Sequence, residues 1–194
     1  MNTTAPAASS KAALLRQPHT WLVVGLSGAY AVYFCWLTIA RHQAFQSQAF
    51  DLAIFVQAFW NGLEHGFFAI TAHPGVTSFW QIHFTPSMLL IEPLYALFPT
   101  SETLLVLQAV LVASGAWPIF RLAAQRLNHP GLGVVFALIY LLFPALQSAN
   151  LYDFHLLTLA APLLAWTFWF AEKKQWRLYA LFFAVSLGLR EEVS

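Results

Sequence analysis

Long apolar stretches constrain this chain more than any other feature of its sequence. A transmembrane helix needs about 20 predominantly apolar residues, and four stretches come close to or reach that length: 21–40, 103–124, 131–147 and 156–171. A fifth apolar stretch, 178–189, runs into the C-terminus. Hydrophobic residues make up 59% of the 194 residues and charged residues only 9%, against about 25% charged in soluble domains. The sequence therefore predicts an all-α fold, a polytopic transmembrane helix bundle of about five spans.

The charged residues then sort onto opposite sides of the membrane. With a cytoplasmic N-terminus, the basic residues inside are Lys11, Arg16, Arg121, Arg126, Lys173, Lys174 and Arg177, as the positive-inside rule requires. The carboxylates outside are Asp51, Glu64, Glu92, Glu102, Asp153, Glu191 and Glu192. We therefore predict a multi-pass protein of the cell membrane. The acidic outer face is not demanded by topology, so it calls for a functional explanation.

Residues 1–18 are predicted to form a cytoplasmic disordered tail, and residues 19–194 a single transmembrane domain. Lys11 and Arg16 precede the first apolar stretch as in a signal peptide, but that stretch exceeds the usual 7–15 residues and no small-residue cleavage site follows before Arg41. It is interpreted as an uncleaved anchor. Cys35, the only cysteine, is interpreted as a small buried apolar residue. The basic residues are too few and scattered for a nucleic-acid partner.

The segment 41–102 is predicted to be a long first outer loop that carries interfacial helices. Stretch 50–63 is strongly apolar, yet Gln57, Asn61 and Glu64 recur at i, i+4 and i+7 and make one polar stripe on a helix. A helix of this length is about 21 Å long, short of the ~30 Å hydrocarbon core. We expect it to lie in the membrane interface, with the stripe toward water and with Phe55 and Phe59 as anchors.

The second apolar piece of this loop, 84–98, leaves two topologies open. Pro86 and Pro93 break or kink a helix, which favours a surface or re-entrant helix. If the piece instead crossed the membrane, Arg121, Arg126 and Lys173 would all move outside, against the positive-inside rule. The lying-down arrangement is therefore the prediction.

The acidic and basic groups of the outer side supply the candidate site residues. Asp51 either stabilises a helix N-terminus or serves as a catalytic base for a hydroxyl. Asp153 and His155 either cap and begin the next helix or bind a divalent metal or a phosphate. His73 and His83 give a weak metal signal, with His83 and Asp153 as the candidate ligands; the alternative is that either histidine is only an interfacial polar residue.

The C-terminal triplet Arg190, Glu191 and Glu192 follows an apolar stretch too short to cross, which rises only about 18–20 Å. Charges at such depth indicate a polar cavity or a functional site; the alternative is that the triplet reaches the lipid headgroups. Arg190 and Glu191 are therefore predicted to bind a donor or its phosphate, together with Asp153 and His155. The same position leads us to expect that the chain is truncated at its C-terminus.

Four motifs occur in a fixed order: FDLAIFVQAFWN, QIHFTPSMLLIEPLYALFP, ANLYDFH and LREE. In this order the chain resembles, over roughly 40–194, the bacterial and archaeal membrane proteins of domain-of-unknown-function family 2079. That family is similar in layout to the C-type membrane glycosyltransferases, which share a cytoplasmic N-terminus, a long first outer loop with surface helices and an acid, and a second acidic motif in the next outer loop. Asp51 matches the first-loop acid and Asp153 the second.

The resemblance implies transfer of a sugar from a polyprenyl-phosphate donor at the outer face, with membrane lipid as the other partner and a divalent metal as a candidate cofactor. Such proteins usually have eight or more spans, so about five spans imply the N-terminal part of one. Two alternatives stay open, a transporter or channel subunit and a non-catalytic membrane fragment. Transporters place polar groups near the membrane midplane, whereas the carboxylates here gather at one surface.

Overall fold

The computed structural model describes residues 18–190, and within that range the fold is helical, with a single isolated bridge between Ala69 and Ser78 in place of strands. This confirms the predicted all-α class. The helices are α1 (Pro18–Gln43), α2 (Ile54–Glu64), α3 (Met88–Leu97), α4 (Ser101–Ser114), α5 (Ala116–Arg126), α6 (Pro130–Leu141), α7 (Pro144–Tyr152), α8 (Ala160–Glu172) and α9 (Trp176–Leu187). A π-helical turn, Ala49–Ala53, precedes α2, and 3₁₀ turns cover Phe79–Gln81 and Leu156–Leu159.

Two helices of the described chain have the length and apolar character of membrane spans. These are α1 and the nearly continuous α4–α5 unit, Ser101–Arg126, each of 26 residues. Helices α6 and α7 count as a third span if they are taken together, although they meet at a bend of 45°. Pro144 explains the break, because a proline cannot donate the hydrogen bond that would continue α6.

The structure thus gives two or three candidate spans where the sequence predicted about five. The stretch 156–171 becomes Leu156–Glu172, and 178–189 becomes α9; both remain among the shorter apolar helices of 10–17 residues. The first of these begins as a 3₁₀ turn. Whether either helix crosses the bilayer stays a prediction, and so does the placement of the N-terminus in the cytoplasm.

The helices bury two apolar clusters at different levels of the bundle. One cluster joins α1 to the second half of α4, to α5 and to α6, through residues such as Val23, Val112 and Phe120. The other joins the outer segment 41–102 to the first half of α4, through Leu104 and Leu105. The outer segment is therefore packed onto the end of the bundle at which α4 begins.

This packing corrects one expectation about the outer segment. Phe55 and Phe59 are 6% and 0% exposed because they lie in the protein cluster with Leu104 and Phe154, so they do not anchor α2 in lipid. The polar stripe of α2 lies at the protein surface, where Glu64 is exposed. The side chain of Gln57 hydrogen-bonds Thr71 through both its amide nitrogen and its amide oxygen.

The length of helix α3 bears on whether segment 84–98 crosses the membrane or lies at its surface. It has only 10 residues, with Pro93 inside it, which corresponds to about 15 Å, half of a ~30 Å hydrocarbon core. This length agrees with the surface or re-entrant arrangement expected for 84–98, which stays a prediction.

Candidate functional site

The outer segment and the helix ends beneath it enclose a cavity of about 370 Å³. Its wall contains Asp51, His83, His155 and Arg190, which come one each from the four sequence motifs, and also His73. Thr85 and a set of apolar side chains complete the lining; the apolar ones are Phe50, Ile54, Phe55, Phe79, Ile82, Leu156, Leu157 and Leu189. The cavity is thus a polar site with apolar walls, at the end of the bundle where α4 begins.

A carboxylate–imidazole pair lies in this wall. Asp51 Oδ1 is 2.9 Å from His155 Nε2, and the side chains are 21% and 28% exposed. The hydroxyl of Tyr152 also lies near the Asp51 carboxylate. Asp51 lies inside the π-helical turn, and its carboxylate is used for these tertiary contacts. Asp51 therefore does more than stabilise a helix N-terminus, because its carboxylate bonds a side chain from a distant part of the chain.

The pair has a defined proton arrangement when Asp51 is ionised. A carboxylate can only accept hydrogen bonds, so His155 Nε2 must donate. The imidazole is then either neutral, with Nδ1 as the acceptor, or doubly protonated. The pair can therefore orient a hydroxyl and take up its proton, through the carboxylate or through the ring that it orients.

Asp153 occupies a different place from the one expected for a ligand-binding acid. It is 4% exposed, it does not line the 370 Å³ cavity, and its Oδ2 accepts a hydrogen bond of 2.8 Å from the backbone N–H of Gln48. Gln48 immediately precedes the turn that carries Asp51. Asp153 thus holds the start of the Asp51 turn against the end of α7, and the two acids lie on the same side of the molecule.

Gln108, on α4, is a positioning residue that the sequence analysis missed. Its side chain is 1% exposed, and Nε2 donates to the backbone oxygens of Asn150 and Asp153, at 3.2 and 2.8 Å. Its Oε1 accepts from the backbone N–H of His155 at 2.8 Å. One buried amide therefore fixes the segment that presents His155. The signal was present in the sequence, as a lone amide within the apolar run LLVLQAVLV.

Arg190 reaches the cavity because the segment after α9 is docked on the outer loop. Ser87 donates its backbone N–H to Gly188 O at 3.0 Å and its hydroxyl to Val185 O at 2.7 Å. A Cβ on Gly188 would lie only 2.7 Å from Ser87 Oγ, so a larger residue there would displace the hydroxyl that bonds Val185 O. The docking leaves Arg190 Nη2 2.9 Å from His83 Nε2.

The Arg190–His83 contact also fixes a tautomer. A guanidinium can only donate, so His83 Nε2 is the acceptor and a proton of the neutral ring lies on Nδ1. His83 is thereby engaged with a cation, whereas Asp153, the other candidate metal ligand, is engaged with the Gln48 backbone. Within residues 18–190, no group of three or more His, Cys, Asp or Glu side chains is arranged to hold a metal ion. The metal site stays a prediction, and Glu191 lies outside the described residues.

Comparison with known proteins identifies a family but no characterised relative. A family model described as "Predicted membrane protein (DUF2079)" matches residues 41–194, which is most of the chain. No curated protein and no solved structure matches the chain. The match includes all four sequence motifs and every residue of the cavity wall, and it agrees with the apolar helices of the structure. The chain is therefore an integral membrane protein and belongs to the DUF2079 family of predicted membrane proteins.

Proposed function

We propose that this protein is a C-type glycosyltransferase, or the N-terminal part of one, that moves a sugar from a polyprenyl-phosphate donor to an acceptor hydroxyl at the outer membrane face. One observation carries the proposal: the Asp51–His155 pair and the guanidinium of Arg190 line the same cavity. Such a transfer needs a proton acceptor on one side of the reacting carbon and a cation on the other.

The chemical step assigns a role to each group. The acceptor oxygen attacks the anomeric carbon of the sugar, and a new C–O bond forms as the bond from that carbon to the phosphate oxygen breaks. The proton of the acceptor hydroxyl passes to the Asp51–His155 pair. The electron pair of the broken bond leaves with the polyprenyl phosphate, whose added negative charge is stabilised by Arg190.

The apolar part of the cavity wall supports a lipid-linked donor. Phe50 is 66% exposed and Leu157 is 41% exposed, and both line the cavity next to polar side chains. An isoprenoid chain can remain against such residues while its phosphate reaches Arg190. Gln108 and Asp153 then act through the backbone, since they hold His155 and the Asp51 turn without lining the cavity.

The test begins with the part that all such donors share. Citronellyl phosphate, a short prenyl phosphate, should bind the purified protein, and Arg190→Gln should weaken that binding about tenfold, equivalent to one charge-assisted contact of ~1.4 kcal/mol. Asp51→Asn should bind the probe as the wild type does. No binding to the wild type, or binding unchanged by Arg190→Gln, would overturn the proposal.

The second readout is transfer from a panel of citronellyl-phosphate sugars to acceptors in membrane vesicles of the producing cell. Asp51→Asn and His155→Gln should each reduce transfer by at least about 100-fold, the usual contribution of a positioned acid–base group. Glu64→Gln is the matched control, because Glu64 is an exposed acid at the end of α2 outside the cavity. Full transfer by Asp51→Asn and by His155→Gln would rule out the pair as the proton acceptor.

A further inference from the structure

We propose that the far end of the bundle carries a binding site for the headgroup of an anionic phospholipid, built around Arg121 of α5. The site is separate from the cavity described above, and its existence does not depend on the sugar-transfer proposal. Arg121 lies about 20 Å further along α4–α5 than Gln108, at 1.5 Å per residue. It therefore lies toward the opposite membrane surface.

The first observation is the burial of the Arg121 cation. The residue is only 9% exposed, and its guanidinium carbon lies 6.0 Å from the ring centroid of Trp117 and 5.5 Å from that of Trp169. Among residues 18–190 no hydrogen bond or ion pair of Arg121 is found. The indole faces attract the cation, but they do not satisfy its planar set of N–H donors, which matches a phosphate.

The second observation is another cation on the same indole. Lys173 Nζ lies 4.6 Å from the ring centroid of Trp169 and donates to Gln125 Oε1 at 2.9 Å. Lys173 is exposed, whereas Arg121 is buried. Trp169 thus contacts two cations, one on a buried residue and one on an exposed residue, so two positive charges lie near one indole at this end of the bundle.

The position of the cluster favours a lipid headgroup over a soluble anion. Arg121 precedes the last residue of the α4–α5 span, Arg126, by about 7–8 Å along the helix axis, which is the depth of headgroups rather than of bulk water. Tryptophan is enriched at this level because its ring is amphipathic. Basic pockets between transmembrane helices are known to bind anionic headgroups.

The acid near this cluster does not compete with a phosphate for Arg121. Glu172 pairs with Arg126, at 2.6 Å from Arg126 Nη2 to Glu172 Oε2. That pair is at the surface, where the Arg126 side chain is 71% exposed. Arg126 therefore offers a matched control: it is an arginine on the same helix, with a partner of its own and outside the indole pair.

The experiment measures lipid retention by the full chain in detergent micelles, with native mass spectrometry as the readout. Phosphatidylglycerol should bind at least about tenfold more tightly than phosphatidylcholine, which has no net charge, and Arg121→Gln should remove this preference. Arg126→Gln should change it less than about twofold, as expected for a surface charge that already has a partner. Excess inorganic phosphate should not displace the lipid, because its chains hold it to the protein.

Each opposite outcome contradicts the proposal. Equal retention of the two lipids by the wild type would exclude a headgroup site, and equal effects of Arg121→Gln and Arg126→Gln would show only diffuse surface attraction. Displacement by inorganic phosphate would identify a soluble anion as the occupant. If Arg121→Gln fails to fold, Lys173→Gln decides, since Lys173 is exposed: it should weaken phosphatidylglycerol binding about threefold, and unchanged binding would refute the site.

Discussion

Replacement of Gln108 by leucine tests how the site is held in place. The change removes three hydrogen bonds, to Asn150 O, Asp153 O and His155 N, and leaves those backbone groups in a buried place. A hydrogen bond contributes about 1 kcal/mol in soluble proteins and about 0.6 kcal/mol within membrane bundles. Three of them predict a loss of about 2–3 kcal/mol in the free energy of unfolding.

The assay is unfolding of the purified protein in mixed micelles, followed by helical circular dichroism. Gln57→Leu is the control, because it removes two side-chain hydrogen bonds at a surface-exposed contact with Thr71. It should lower the free energy of unfolding by less than about 1 kcal/mol. If Gln108→Leu unfolds within about 0.5 kcal/mol of the wild type, the amide does not fix the segment that carries His155. Equal losses in Gln108→Leu and Gln57→Leu would likewise refute the role of burial.

Two further predictions concern the outer segment and the topology. Phe55→Ala should lower the free energy of unfolding by about 3–4 kcal/mol and expose the loop to proteases, because Phe55 is buried in the protein cluster. Trp60→Ala is the control: this residue is 47% exposed, so stability and proteolysis should stay nearly unchanged. Equal proteolysis of the two variants would contradict the packing. In a Cys35→Ala background, an impermeant thiol reagent added outside should label Ala72→Cys but not Leu127→Cys. Labelling of Leu127→Cys but not of Ala72→Cys would show that the predicted orientation is wrong.

The general character of the site region was predictable, but its pairing was not. Asp51, Asp153, His155 and Arg190 stand out in the sequence as charged or ionisable groups among apolar residues, and such groups rarely occur near a membrane without a function. Their partners are invisible at that level. Asp51 and His155 are 104 positions apart, and Arg190 and His83 are 107 apart, so only the packing of the helices could bring them together.

The same limit explains the wrong role expected for Phe55. Hydropathy reports that a side chain avoids water, and lipid and protein interior satisfy that preference equally well. The amphipathic pattern of α2 was therefore compatible with a helix lying in the interface. In the structure its apolar face packs inside the protein, with Phe59 stacked on Tyr95 of α3 and Phe55 against Phe79 and Phe154. Gln108 was overlooked for a related reason, because a lone amide in an apolar run does not reveal which backbone groups it bonds.

The sequence by itself determined that this protein is a bundle of apolar helices, because no soluble fold of this length could bury such a composition. It also determined which charged residues needed an explanation, since charges are costly in and near a bilayer. The tertiary structure alone decided that Asp51, His155 and Arg190 share a cavity while Asp153 lies behind it. Hydrogen-bond partners depend on distances of about 3 Å between remote segments, and a pattern along one chain contains no such distances.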